Sequence, residues 1–258
     1  MQQHFNVGAA KEMMLALPPL REQQGIAATL RALDDKAASN QQLRVQIPNL
    51  IRALVLRAID LSADRIPVAD LASFINGGAY TKGASGTGRI VIRIAELNSG
   101  PGASTVYSDI DVPDDRTARA GDILMSWSGS LDVYRWYRDE AIINQHIFKV
   151  LPANGYPAWF VFDRLGVAMP VFHRIAKDKA TTMGHIQRGH LQSTFVDVPH
   201  HESLSKLSRE VESLWNRLLL AERENVKLEH LRKSLLPELL SGRVRVPEAM
   251  DAVQEVVA

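Results

Sequence analysis

Apolar residues recur at spacings of three, four and seven in two stretches of the chain. Ile26, Leu30, Leu33, Ala37, Leu43, Ile47, Leu50, Leu54 and Val55 make up the first. Leu204, Leu207, Val211, Leu214, Leu218, Val226, Leu228, Leu231, Leu235 and Leu236 make up the second. Such spacing lays one stripe along a helix and is the spacing of a helix–helix seam. A helix of about 38 residues is roughly 57 Å long at about 1.5 Å per residue, too long to stand alone with its stripe bare. Each stretch is the natural partner of the other. This predicts an antiparallel coiled coil whose seam sets Leu30, Leu33, Ile47, Leu50 and Leu54 against Val211, Leu214, Leu228, Leu231 and Leu235. Pro48 and Pro237 lie inside the pattern and predict a kink or break near each. Ser241-Gly242 supplies a stop, and residues 247–258 read as a short, weakly held tail.

The two stretches are also an internal repeat. At an offset of 181 residues, without a gap, Pro18 falls on Pro199, Ile26 on Leu207, Leu30 on Val211, Leu50 on Leu231 and Leu54 on Leu235. Upstream the register holds weakly, with His4 on His185 and Gly8 on Gly189. Between the helices the punctuation becomes that of short strands and turns. Residues 88–94 alternate, with Ile90, Ile92 and Ile94 on one face and Arg89, Val91 and Arg93 on the other. Gly121-Asp122 turns into an apolar run ending at Trp127, and Ser128-Gly129-Ser130 turns out of it. Residues 145–150 form another strand candidate, while 159–165 and 183–191 are compatible with helix. The fold class expected is α+β, a mixed strand-rich domain inserted between two long helices.

Composition narrows the chemistry. Hydrophobic residues make up 46% and charged residues 23% of the 258, an ordinary globular balance, and the formal net charge is +1. Cysteine is absent, which excludes disulfides, thiolate catalysis and Cys-built zinc sites. No run of about 18 apolar residues exists to cross a membrane, and the first residues lack the pattern of a signal peptide. A cytoplasmic location is the default. The Gly-rich segment 83–88 has neither the dinucleotide spacing nor the lysine of a phosphate loop. His185 and His190 are five apart with no metalloprotease pattern, and no nucleophile elbow occurs. No catalytic residue, cofactor or metal is therefore assigned. A local basic cluster does occur: residues 171–190 carry a net charge of +3, although residues 60–200 as a whole carry 14 basic and 15 acidic side chains. A nucleic-acid reading needs a one-sided face.

Several segments resemble the DNA-specificity subunit of type I restriction–modification systems. They are Leu-Pro-Pro-Leu-Arg-Glu-Gln-Gln-Gly-Ile-Ala at 17–27 with Leu30, Leu33 and Asp34, then Gly-Asp-Ile-Leu-Met-Ser-Trp-Ser-Gly-Ser at 121–130. Ile143-Asn144-Gln145-His146, Gly184-His185-Ile186 and Leu235-Leu236-Pro237-Glu238-Leu239-Leu240-Ser241-Gly242 follow in the family's order. A full subunit of that family carries two target-recognition domains, each followed by a long helix, and the helices pair antiparallel as a ruler between half-sites. The resemblance implies a remnant of a first recognition domain at 1–18, a first helix at 19–61, one recognition domain at 62–199, a second helix at 200–246 and the tail at 247–258. It further implies a non-catalytic, truncated or half-length subunit. Its partners would be double-stranded DNA, the modification (adenine methyltransferase) subunits, through them the restriction subunit, and a second copy in a homodimer. The methyltransferase motif Asn/Asp-Pro-Pro-aromatic is absent, since the lone Pro-Pro lies between Leu17 and Leu20.

On that reading the DNA-contacting candidates are Lys82, Arg89, Ser126, Trp127, Ser128, Arg135, Lys177, Lys179, Thr181, Thr182, His185 and Arg188. Loop lysines suit phosphates, whereas Arg188 suits a guanine edge. The bland alternative for Arg188 is a salt bridge or helix-end role. Two other classes compete: a coiled-coil assembly protein whose inserted domain binds another protein, and an enzyme without a familiar motif.

Overall fold

The computed structural model describes residues 11, 14, 17–61, 63–178 and 184–257. The expected remnant residues His4 and Gly8, and the candidates Lys179, Thr181 and Thr182, lie outside them. Helix α1 (Leu20–Leu61) leads into β1 (Ala63–Pro67), β2 (Ala72–Asn76), β3 (Arg89–Ile92), α2 (Ile94–Ser99), β4 (Tyr107–Ser108), β5 (Thr117–Ala118) and β6 (Ile123–Ser126). Then come β7 (Asp132–Arg135), β8 (Ala141–Ile143), β9 (Ile147–Pro152), α3 (Ala158–Asp178), α4 (Arg188–Ser193), β10 (Phe195–Pro199), α5 (His201–Ser241) and α6 (Val246–Val257). The chain forms an α+β fold, a strand-rich domain carried between two long helices. It divides into two compact units, one of residues up to 40 and from 224, the other of residues 41–223. Both cuts fall inside the long helices, not at their ends.

In the smaller unit α1 and α5 run antiparallel. Ile26 and Leu33 meet Leu228, Leu235 and Leu239 in one buried cluster. Asp34 pairs with Arg232 at 2.8 Å and Lys36 with Glu224 at 3.3 Å. Asn40, 1% exposed, donates to Glu224 at 2.6 Å and to Asn225 at 3.1 Å. A buried amide in an apolar seam is satisfied in one register only, so it selects that register. Among residues 247–258, expected as a tail, 247–257 are helical rather than loose. Helix α6 lays Ala249 and Val253 into the same cluster, with Val246 and Val256 packed beside them. Their spacing is itself a seam pattern, too short to stand out in the sequence. Gly242, at φ 71°, reverses the chain between α5 and α6 with the Arg243 N–H on the Glu238 carbonyl at 3.1 Å. At Gly25 a Cβ would lie 2.9 Å from Val246, so glycine is what admits the start of α6.

In the larger unit the chain leaves α1 through β1 and returns to α5 through β10, and these two strands pair antiparallel from Ala63↔Pro199 to Pro67↔Phe195. A four-stranded antiparallel sheet has the order β2-β9-β6-β7, and a mixed one the order β4-β3-β8-β5, with β3 and β8 parallel. Helix α3 places Trp159, Phe160, Leu165 and Phe172 against Ile47, Ile51 and Val55 of α1, Val211, Trp215 and Leu218 of α5, and the sheet residues Phe74, Met125 and Phe148. A second cluster of Ile92, Leu124, Trp136, Ile143 and Ile147 lies on the other side of β6. Every residue of β6 is therefore buried. Strand β3 is likewise covered on both faces, because Val91 packs with Val112 and Ile142. Its alternation does not make one face polar, and Ile94 already belongs to α2.

Further expectations are corrected. Leu50 is 47% exposed, while Ile51 is 2% and Val55 0%. The buried stripe on this part of α1 runs Ile47, Ile51, Val55, Ala58, because the helix also packs on α3 and keeps the helical period near 3.6 instead of the 3.5 of a two-stranded seam. Leu33, Ile47, Val211, Leu228 and Leu235 are buried, and Leu30, Leu54, Leu214 and Leu231 are half-buried. Neither Pro48 nor Pro237 breaks its helix. The helix expected over 183–191 starts only at Arg188.

Three proposed surface residues are interior: Ser126, Arg135 and also Ser128, which is 6% exposed. Ser126 is 0% exposed, and its hydroxyl donates to the Ser130 carbonyl at 2.6 Å and accepts the Asp132 N–H at 2.9 Å, tightening the β6–β7 turn. Arg135 is 5% exposed. Its Nε and Nη2 donate to Glu222 Oε2 at 2.9 and 2.5 Å, its Nη1 to the Trp215 carbonyl at 2.8 Å, and its guanidinium lies 3.9 Å over the Trp215 ring. Burial lifts the Glu222 carboxyl above its ordinary range despite Arg135. This pair ties β7 to α5 and leaves no donor surface for DNA.

Two expectations follow. Leu228→Ala costs about 2–5 kcal/mol through transfer and cavity terms, whereas Leu50→Asp changes stability by less than about 0.5 kcal/mol; thermal melts of both variants check the corrected stripe. Arg135→Met leaves the buried Glu222 carboxylate with only Arg44, at 3.7 Å, beside it and costs about 3–5 kcal/mol at neutral pH. In that variant burial holds the folded pKa of Glu222 above its unfolded value, so the loss is smallest at acid pH and grows as pH rises. Urea unfolding at pH 5 and pH 8 measures the difference, and Arg135→Met with Glu222→Leu should recover most of the loss.

Candidate nucleic-acid interface

The remaining candidates fall into two groups. Lys82 lies exposed on the turn after β2, and Lys177 lies exposed in the last turn of α3. Arg89 is committed to its neighbours, donating to Glu140 at 2.8 Å and to the Ile110 carbonyl at 2.7 Å.

The other four are brought together. The loop after β6 is held to residues 184–186: Gly129 N–H reaches the Gly184 carbonyl at 3.1 Å, Ile186 N–H reaches the Trp127 carbonyl at 2.9 Å, and Ser128 and His185 form a β-bridge. Ser128, 6% exposed, shares a 3.1 Å hydrogen bond with His146 Nδ1. The Trp127 ring packs 5.3 Å from His146 and 6.1 Å from Phe148, and its buried Nε1–H has no acceptor among the described residues. Phe148 meets Phe74 edge-on at 5.8 Å, and the Arg188 guanidinium stands 5.8 Å over the Phe148 ring. Arg188 also donates to the Phe74 carbonyl at 3.1 Å. That carbonyl is available because β2 is the edge of its sheet. Aromatic packing, not chain proximity, assembles this surface.

One residue was not anticipated. Arg116 shares a cavity of about 670 Å³ with Arg188, Phe74, Asn76 and Gln192, and no carboxylate lines it. Arg116 Nη1 reaches the Tyr80 hydroxyl at 3.4 Å, while its buried Nε has no acceptor among the described residues. In the sequence it follows Asp114-Asp115, which disguises it as part of a solvated acidic loop. In space Asp114 is drawn to Arg119 at 2.7 Å, leaving Arg116 turned to the β2 edge. Two guanidiniums beside an open strand edge, with no acid among the lining residues, favour an anion with hydrogen-bond acceptors. Among the described residues no group of three or more His, Asp and Glu side chains could hold a metal ion. No described helix is long and apolar enough to cross a membrane.

No family model and no curated protein matches the chain. Solved structures do. The chain is similar to the S subunit of a type I restriction–modification system from M. genitalium, at 15% identity and a TM-score of 0.55, over 85% of this chain and 61% of that one. It is also similar to the HsdS subunit from Thermoanaerobacter tengcongensis (18% identity, 89% of this chain, 61% of that one, TM-score 0.41). A chain from a structure on complex assembly and conformational transition of the type I R-M system matches at 17% identity, 88% and 60% coverage and a TM-score of 0.42. The protein spans about three-fifths of the length of these chains. The long antiparallel helices and the strand-rich domain carried between them are thus a fold that this chain has in common with the type I restriction–modification S subunit from M. genitalium.

Proposed function

We propose that the protein is a sequence-specific DNA-binding specificity subunit, in which the domain at 62–199 reads one half-site. On this reading it performs no chemistry. It directs modification (adenine methyltransferase) subunits, and through them a restriction subunit, to their target in the cytoplasm. The observation that carries the reading is the fold it shares with the M. genitalium S subunit over 85% of the chain. The carboxylate-free cavity with Arg116 and Arg188 supports it chemically. Arg188 would take a guanine edge through two parallel hydrogen bonds, Arg116 an acceptor beside it, and Lys82, Lys177 and Lys179 the flanking phosphates. Thr181, Thr182, His185 and Trp127 complete the proposed contact surface. Two chains associating with two-fold symmetry would make the target palindromic.

The test begins with co-expression alongside an adenine methyltransferase, reading the target from the methylated sites, then measuring duplex binding by the complex. Arg188→Ala should cost about 1–3 kcal/mol on the cognate duplex and relax one base position. Lys82→Ala should weaken all duplexes similarly and flatten the salt dependence. Binding that ignores salt and both substitutions would remove this reading and favour an assembly protein with a protein-binding domain.

A further inference from the structure

A second cavity, of about 400 Å³, lies in the larger unit among α1, α2, β7 and α5. Its lining includes three arginines, Arg44, Arg135 and Arg138, and two carboxylates, Glu96 and Glu222. Both carboxylates are already satisfied. Glu96 is gripped by Arg93 through bonds of 3.0 and 2.7 Å and receives the Thr105 hydroxyl at 3.0 Å. Glu222 takes two hydrogen bonds from Arg135. Arg44 approaches the same carboxylate at 3.7 Å, a second cation on a charge already met. Arg138 makes no hydrogen bond or ion pair with a described residue. Its guanidinium fills the space that Gly100 leaves open, where a Cβ would stand 2.6 Å from Nη2. Arg44 and Arg138 both lie on the ring of Tyr137, at 5.5 and 5.3 Å from its centre.

Arg44 and Arg138 add two positive charges to a wall whose two carboxylates are already held by Arg93 and Arg135, and Glu222 is the one lining carboxylate paired with Arg44. A guanidinium presents a planar fork of donors that fits a phosphate in two-point fashion, and such forks are strongest in a recess that limits water. The volume is that of a site for a small organic molecule. We infer that this cavity binds a phosphate group through Arg44 and Arg138, carried by a free nucleotide or by the DNA backbone. The site stands apart from the Arg116–Arg188 surface and shares no lining residue with it.

The experiment is calorimetric titration of the full chain with inorganic pyrophosphate and with ATP in chloride buffer, and duplex titration in parallel. The proteins are the parent, Arg138→Ala, Arg138→Lys, Arg188→Ala and the double variant Arg44→Ala/Arg138→Ala, each checked for an unchanged melting temperature. Pyrophosphate and ATP should bind the parent, about tenfold more weakly Arg138→Ala, and the double variant not at all. Arg138→Lys should recover part of the loss, because it restores charge without the fork. Arg188→Ala should bind pyrophosphate like the parent, which separates this site from the proposed base-reading surface. If the phosphate belongs to DNA, pyrophosphate competes with duplex, and Arg138→Ala weakens duplex binding by a similar factor. Pyrophosphate binding that is absent, or equal in the parent and Arg138→Ala, together with unchanged duplex binding, overturns the inference.

Discussion

An apolar stripe on a helix of some forty residues has to be covered along its whole length, and in this protein the cover changes along the way. Over the first half of α1, Ile26 and Leu33 are covered by Leu228, Leu235 and Leu239 of α5, with α6 adding Ala249 and Val253. Over the second half, Ile47, Ile51 and Val55 are covered by α3 and α5 together. A helix with two neighbours must present a broader face, and the broader face selects Ile51 and Val55 over Leu50. Helix α3 reaches this position only because β1 and β10 bring the inserted chain back beside its point of departure.

That change of cover explains which parts of the fold were legible in the sequence. The long helices, their mutual pairing and the β6–β7 turn follow from periodicity and from Gly and Ser punctuation, which are local signals. Leu50 and Ile51 differ by one position, and the choice between them depends on α3, more than a hundred residues away. Helix α6 was hidden for a different reason. Val246, Ala249, Val253 and Val256 span too few turns to announce a helix, and their burial depends on a groove built by α1 and α5. The packing of β3 on both faces also required partners, Val112 and Ile142, that no window around residue 91 contains.

The candidate site was legible in part, and arginine shows why. In the sequence Arg135, Arg188, Arg116 and Arg138 are the same residue with the same charge. Folding assigns them to different work. Arg135 is enclosed by Trp215 and Glu222 and serves the joint between β7 and α5. Arg188 lies over Phe148 with one hydrogen bond to an edge carbonyl, which leaves most of its donors toward solvent. Arg116 is released because Asp114 is taken by Arg119. A charge count cannot make these distinctions, since it assigns each guanidinium one positive unit wherever it lies.

That the proposed DNA-contact surface is assembled by aromatic packing has a consequence for how specificity could vary. Phe74, Phe148, Trp127 and His146 form a run of ring contacts under the side chains that face outward. The rings fix where Arg188 and the loop of residues 127–129 stand, while the groups that would meet bases occupy the outer ends. Substitution at Arg188, Gln192 or Asn76 changes the donors and acceptors offered while leaving the ring packing in place. Substitution at Phe148 moves the platform itself, and every group standing on it moves too. Separating the platform from the reading groups allows one fold to present different chemistry at its surface without losing its core.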